Sequence, residues 1–384
     1  MHKLKMGMIG GGPGAFIGAV HRSAAAMDGL IELVAGSFSS SPAKSKQTGD
    51  ELALQPQRMY DSYEEMIAAE SRLPADERVD IISIVTPNHL HFAPAKLALE
   101  AGFHVIMDKP MTFDLQEAKE LKTIVAQTGN YFCLTHTYAG YPMIKEARAQ
   151  VSAGNLGTIR KLFVTYPQGW LTDLLEDQDH KQASWRTDPS RSGMAGAIGD
   201  IGTHAFNLAE YISGLQVTDL SAHINIVVEG RRLDDDGTVF LRFNNGATGV
   251  LIASQVLAGE ENSLSIKLYG EKGGLEWCHT DPNSLILKWP SAPMQVLRAG
   301  SPYLSGVATH NTRTPAGHPE GFLEAFANHY RNFALCIQSR KNKKEPQASW
   351  LDFPGVEEGV RGMAFIENAI ASGKSDLKWQ PFII

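Results

Sequence analysis

Cysteine is scarce in this chain: three in 384 residues, Cys133, Cys278 and Cys336, far apart and odd in number. That excludes a disulfide framework, offers no metal-ligand spacing and points to a reducing compartment. Long apolar runs are also missing. No segment approaches the roughly 20 apolar residues that a membrane-spanning helix needs, and Met1-His2-Lys3-Leu4-Lys5 has no apolar signal core; the cytoplasm is the expected location. Positive charge is in deficit, with a net charge of -7 and a pI near 6.0. This argues against nucleic acid or an anionic membrane surface as the main partner. There is no internal repeat, and no low-complexity tract beyond the serines of Ser37–Ser41. What remains is a globular composition, 43% hydrophobic and 20% charged, in a chain too long for one ordinary core. Two domains are therefore expected.

A more local absence concerns one carboxylate. Met6–Ile9 is a short apolar run that leads into Gly10-Gly11-Gly12-Pro13-Gly14-Ala15, with G-x-G-x-x-A formed by Gly10, Gly12 and Ala15. Glycines there permit a tight turn and let backbone N–H groups approach a pyrophosphate at a helix N-terminus. Phe16–Met27 reads as that helix and Ile31–Ala35 as the next strand. The loop residues Gly10, Gly12, Pro13, Gly14 and Ala15, with Phe16 and Ile17, are expected around a dinucleotide. An NAD site usually places an acid at the end of the second strand for the ribose hydroxyl. Here the chain has Gly36-Ser37-Phe38-Ser39, with Lys44 and Lys46 beyond. Ser37, Phe38 and Ser39 are expected at that ribose, and both NAD and NADP are admitted. The same serines also suit a turn and a helix cap before Pro42.

The alternation of strand and helix continues. Arg58–Tyr60 reads as a short strand, Ser62–Ser71 as a helix capped by Ser62, and Val79–Val85 as a buried strand ending in Thr86-Pro87-Asn88-His89-Leu90-His91. A helix over Phe92–Glu100 closes at Gly102. The strand Phe103–Met107 then delivers Asp108-Lys109-Pro110. Leu115–Gln127 is a helix and Tyr131–Leu134 a sixth strand. The whole is an α/β fold with a doubly wound parallel sheet. Ligands bind outside the carboxyl ends of such strands, so Lys109 is placed to serve a reaction. Thr86, Pro87, Asn88 and His91 are expected to line the cofactor crevice. His89 and His91 lack a third ligand at metal spacing, and no metal is expected.

After Thr137 the rhythm changes. Pro142–Ser152 reads as a helix and Thr158–Tyr166 as a strand. Strands at Asp219–Val228, Gly237–Phe243, Thr248–Gln255, Ser263–Tyr269 and Gly274–Cys278 follow, separated by Gly, Asn and Asp turn signals. Helices over Gly321–Gln338 and Gly355–Ser372 close the chain. The expected domains are 1–137, which binds the dinucleotide, and 138–384, an α/β domain with a large, mostly antiparallel sheet. Asp200 and His204 lie four apart, so a helix starting at Asp200 would show both on one face. On their own the two also read as an N-cap Asp and a polar helical His; beside Lys109 and a dinucleotide loop, a redox site for a secondary alcohol would need a base with a pKa near the working pH, which a neutral His204 offers. The Lys109 ammonium can hold the oxygen and stabilise developing alkoxide charge, while Asp200 orients a neighbouring hydroxyl. Tyr166-Pro167-Gln168-Gly169-Trp170 ends a strand; Gln168 suits paired hydroxyls and Trp170 a sugar C–H face. The acidic stretch Asp173–Lys181 reads as a solvated loop.

The glycine loop, the Thr86–His91 run, Asp108-Lys109-Pro110, Gly154-Asn155-Leu156-Gly157, Trp185-Arg186 and Gly199-Asp200-Ile201-Gly202-Thr203-His204 occur in one order. Together they resemble the Gfo/Idh/MocA family of NAD(P)-dependent oxidoreductases, which includes glucose–fructose oxidoreductase and inositol dehydrogenase. Asp108 stands where the family usually has Glu, and Phe16-Ile17-Gly18 looks like a small insertion before His21. The resemblance implies a Rossmann domain followed by an open-sheet α/β domain for substrate and oligomerisation, hence a homo-oligomer, dimer or tetramer. It implies Lys109, Asp200 and His204 in catalysis, with the formal proton acceptor left open between Lys109 and His204. It places Asp108, Lys109, His136, Trp185 and Arg186 near the cofactor, and Lys109, Tyr138, Gln168, Trp170, Asp200 and His204 near a sugar, cyclitol or glycoside. The expected activity is hydride transfer between nicotinamide and a secondary hydroxyl. A glycosidase using transient oxidation by bound NAD, and a non-catalytic cofactor sensor, are the alternatives.

Overall fold

The computed structural model describes residues 3–178 and 180–384; Met1, His2 and Asp179 of the acidic stretch lie outside them. Among the described residues two compact units form: 1–137 with 322–360, and 138–321 with 361–384. This differs from a single cut after residue 137 in giving 322–360 to the first unit. The reason is packing. The helix Phe322–Lys341 lies against the helix Phe16–Met27, and its Phe326, Tyr330, Phe333 and Ile337 are buried with Leu4, Met6, Met8 and Val20. Each such side chain contributes about 1.5–3 kcal/mol when fully buried, so the first core is incomplete without this late helix.

In the first unit the strands β1 (Leu4–Gly10), β2 (Ile31–Ser37), β3 (Ile81–Val85), β4 (His104–Met107) and β5 (Phe132–Leu134) form a parallel sheet in the order β2-β1-β3-β4-β5. The short strand expected at Arg58–Tyr60 is absent. Pro56–Arg58 is a 3₁₀ turn and Met59 makes only an isolated bridge to Gly36. Local side-chain bonding wins there: Arg58 donates to both oxygens of buried Glu70, at 3.0 and 2.5 Å, and the Tyr60 hydroxyl donates to Oε1 at 3.0 Å. Among the described residues the sheet therefore has five strands, with its order reversing at β1/β3, the place where such sheets bind ligands.

The second unit is built on a nine-stranded sheet among the described residues: β6 (Ile159–Pro167), β7 (Val217–Asn225), β8 (Asp236–Phe243), β9 (Thr248–Ser254), β10 (Ser265–Gly270), β11 (Gly274–Cys278), β12 (Ser284–Lys288), β13 (Gln295–Arg298) and β14 (Gln380–Pro381). Their order is β13-β12-β11-β10-β6-β9-β8-β7-β14, antiparallel except for β6 beside β9. Sequence reasoning missed β12, β13 and β14, which are short and sit at or near the edges. The helix Thr203–Ser213 packs on β6, β9 and β10. Side chains alternate accordingly: Leu162, Val164 and Tyr166 are buried while Phe163 is 40% exposed.

In the first unit β1 and the following helix nearly touch. A Cβ built on Gly18 would lie 2.4 Å from the Gly11 Cα. Gly18, not Ala15, is thus the glycine that allows close strand–helix packing. Ala15 is the residue just before the helix, its N–H bonded to the Gly12 carbonyl at 3.0 Å. Gly18→Ala forces these backbones apart and should cost about 1–3 kcal/mol. A melting temperature equal to that of the unmodified protein would show that the contact is not tight.

Candidate active site

At the carboxyl edge of the first sheet, β1 ends in Gly10 and β3 in Val85, side by side in register. Beyond Gly10 the loop reaches the helix Phe16–Met27, whose first turn has neither a side-chain cap nor an acidic residue. Its leading N–H groups therefore suit an anion such as a pyrophosphate. Pro13 and Gly14 are exposed, Ala15 and Ile17 are half-buried, and Phe16 is 67% exposed. At the end of β2, Ser37 is buried and Ser39 half-buried, its hydroxyl accepting from Ser41 N. The Phe38 ring is turned inward against Gly36 and is 2% exposed. Only its backbone is left to meet a ligand.

After β3, Thr86 and Pro87 are half-buried and Asn88 is buried. His89 is exposed, whereas His91 is completely buried. The His91 Nδ1 lies 2.7 Å from the Pro110 carbonyl oxygen and its Nε2 2.8 Å from that of Thr86. This ring ties the end of β3 to the segment after β4 and presents no free edge. Among the described residues no cluster of His, Cys, Asp and Glu forms a metal-holding group.

After β4, Asp108 Oδ1 accepts from Lys109 N at 2.9 Å and from Thr135 Oγ1 at 3.2 Å. The shorter acid thus fastens the ends of β4 and β5. The half-buried Lys109 follows, joined to Pro110 by a cis peptide. His136 is buried, and its carbonyl accepts from His329 Nε2 at 3.0 Å. The Tyr330 hydroxyl bonds Ser83 Oγ at 2.9 Å and His21 Nδ1 at 2.7 Å. Sequence reasoning missed His329 and Tyr330, since nothing local marks a helix some 190 residues later as part of this edge.

In the second unit Asp200 does not begin an α-helix. It lies within a π-helical turn, Ile198–Gly202, that runs into the helix Thr203–Ser213 carrying His204. Such wide turns recur at functional sites. The Asp200 Oδ2 accepts from Gln255 Nε2 at 2.9 Å and lies 3.5 Å from Arg186 Nε. Arg186 is stacked 4.3 Å from the Trp185 ring. His204 is 8% exposed, its ring edge-on to Tyr138 with centroids 5.0 Å apart. A polar chain extends from Asp200. Gln255 Nε2 also reaches Gln168 Oε1 at 3.2 Å, which accepts from Trp170 Nε1 at 3.0 Å. Gln168 Nε2 donates to Asn262 Oδ1 at 2.7 Å, as does the Tyr166 hydroxyl at 2.7 Å. Asn262 Nδ2 donates to the Tyr138 hydroxyl at 2.9 Å, and the two tyrosine hydroxyls bond each other. Burial, the Tyr138 hydroxyl and the Asp200 charge push the Tyr166 hydroxyl well above its usual range, so it stays protonated. Of the expected residues, Tyr138, Gln168, Trp170, Trp185, Arg186, Asp200 and His204 come together in this unit. Gln255 and Asn262 were missed; each is polar just past or before a strand, a signal that Gln255 at the end of β9 does carry.

An anion-ready helix start at the switch point of a parallel sheet, with a lysine at the next strand end, fits the first half of an NAD-binding oxidoreductase. Residues 4–136 match the family described as oxidoreductase family, NAD-binding Rossmann fold, and residues 144–276 match the GFO/IDH/MocA C-terminal domain. The chain belongs to the Gfo/Idh/MocA family of oxidoreductases. It is 31% identical over 382 residues to the oxidoreductase YfiI of Bacillus subtilis, covering 99% of this chain and 97% of that one. It is similar to an inositol dehydrogenase homolog from Azotobacter vinelandii complexed with NAD+, with a TM-score of 0.94, 33% identity and coverage of 99% and 98%. The complex of that homolog with NADH and myo-inositol gives a TM-score of 0.90, 32% identity and the same coverage. Levoglucosan dehydrogenase of Pseudarthrobacter phenanthrenivorans is 27% identical over 300 residues, 72% of this chain and 73% of that one.

The first unit holds histidines that burial keeps neutral. His21 and His104 are pushed down from 6.5 to about 4 and His136 to about 3, by burial first, with the Lys109 charge adding to the effect on His136. The unfolded chain protonates these rings near 6.5 while the native state does not. Their contribution is therefore complete above pH 6.5 and is lost as pH falls toward 4, each pKa unit being worth about 1.4 kcal/mol. Melting temperatures recorded between pH 7 and 4 should decline through this window; a flat profile would contradict the neutral assignment.

Proposed function

We propose that this protein oxidises a secondary hydroxyl of a cyclitol or pyranose with NAD, the carbinol becoming a ketone. The observation that carries this reading is the run of side chains from Asp200 through Gln255, Gln168 and Asn262 to Tyr138 and Tyr166. Alternating donors and acceptors of this kind match a ring bearing several adjacent hydroxyls, and Trp170 beside Gln168 adds an apolar face. The similarity to a protein complexed with NADH and myo-inositol, and to a levoglucosan dehydrogenase, supports the same substrate class.

NAD, when bound, supplies the hydride acceptor. The glycine loop and the uncapped start of Phe16–Met27 would hold its pyrophosphate, with Ser37 and Ser39 toward the ribose. The protein's own part is proton and charge management. His204 is the base that takes the hydroxyl proton, since a neutral imidazole does so near neutral pH. Lys109, which follows β4 in the first unit, carries the ammonium charge that would stabilise a forming alkoxide. Asp200, held by Gln255 and beside Arg186, accepts from a neighbouring hydroxyl and orients the ring.

Lys109→Met keeps the length of the side chain and removes its charge. NADH formation on a panel of inositols and pyranoses should drop about 100- to 10,000-fold, with NAD affinity retained in a thermal-shift titration. Near-normal turnover in this variant would falsify the role of Lys109.

A further inference from the structure

The helix that carries Asp200 and His204 starts in the dark. Ala197 and Ile198 are 0% exposed and Ala195 3%, with Gly196 half-buried between them, so water is kept from the N–H groups of Ala197 and Ile198. Those groups have no preceding turn to bond to, and a buried unmet N–H is costly. The acceptor comes from a residue 36 positions later in the chain. Asp234, itself 6% exposed, accepts from Gly196 N at 2.6 Å through Oδ1 and from Ile198 N at 2.8 Å through Oδ2. Its backbone carbonyl accepts from Ala197 N at 2.8 Å. Three successive amides are thus gripped by one residue. The approach is so close that a Cβ on Gly196 would lie 2.0 Å from the Asp234 oxygen, which explains a glycine there.

The grip passes directly to Asp200. The Gly196 carbonyl accepts from Asp200 N at 2.8 Å, so the peptide held by Asp234 in turn holds the Asp200 backbone. The next residue acts on the Asp200 side chain. The Asp235 carbonyl accepts from Gln255 N at 2.8 Å, and Gln255 donates to Asp200 Oδ2. Asp235 is itself anchored through its carboxylate to Val227 N, Val228 N and Arg231 at 2.7, 3.0 and 3.1 Å. The segment that reads in sequence as a turn, Leu233-Asp234-Asp235-Asp236, therefore fixes Asp200 from both sides.

We propose that Asp234 is a positioning residue for the reaction: as a remote cap on the π-helical turn it sets where Asp200 and His204 stand. The inference rests on the roles given to those two residues under Proposed function. Asp234→Asn preserves size but turns one acceptor into a donor facing an N–H group. It should lower kcat at least about tenfold with NAD affinity unchanged, and speed hydrogen exchange of the amides in 193–204. If Asp234→Asn does not fold, Asp234→Ser, which keeps a hydroxyl acceptor, takes its place with the same expected direction. Asp200→Asn is assayed alongside. Turnover lost in Asp200→Asn but intact in a folded Asp234 variant overturns the positioning role alone. Turnover intact in Asp200→Asn overturns the catalytic reading on which it rests.

Discussion

Strands and helices that end inside a protein leave polar groups beyond the reach of water, and in each unit the groups that satisfy them hold the candidate site residues of that unit. The second unit carries this furthest. The buried start of the π-helical turn is met by Asp234, and the backbone of Gln255 by the Asp235 carbonyl. Once those bonds are made, the side chains of Asp200 and Gln255 are fixed relative to each other. The first unit does the same with fewer residues: His91 meets the carbonyls of Thr86 and Pro110, and Asp108 meets Lys109 N and Thr135. Asp234 and His91, both buried, thereby fix the backbone beside the half-buried Asp200 and Thr86.

This explains why several residues expected to touch ligands sit behind the surface that would. His91 and the Phe38 ring are buried. One clamps two loops and the other packs below Gly36. Residues with no obvious chemistry in sequence, Gln255 and Asn262, instead hold the polar chain together. Burial also decides protonation. Tyr166 stays protonated as a donor to Asn262, and His136 stays neutral because it is buried beside the Lys109 charge.

Much of this was legible in the sequence because it is local. The glycine loop, the helix Phe16–Met27, the strand before Lys109 and the Gly and Asn turn between β8 and β9 each carry their own signal, and the first helix has the bounds read from the sequence. The failures are non-local. Helix Phe322–Lys341 looks amphipathic in sequence, but nothing in it states that its partner lies three hundred residues earlier. Gly18 reads as an insertion until its backbone is seen against Gly11. The π-helical turn at Asp200 cannot be told from an α-helical one by spacing, and the Asp234 that bonds its first N–H groups lies 36 residues beyond Ile198. Arg58–Tyr60 has strand composition and is withdrawn from the sheet by a single buried carboxylate, Glu70.

In the proposed reaction a carbinol hydrogen leaves the substrate for NAD while the protein manages only the proton. Following a deuterium label tests it most directly, using the inositol or pyranose that supports turnover, deuterated at its ring carbons, and mass spectrometry of the coenzyme. Direct transfer yields net NADH carrying one deuterium per molecule formed. Unlabelled NADH, or conversion of the substrate with no net NADH, would contradict it.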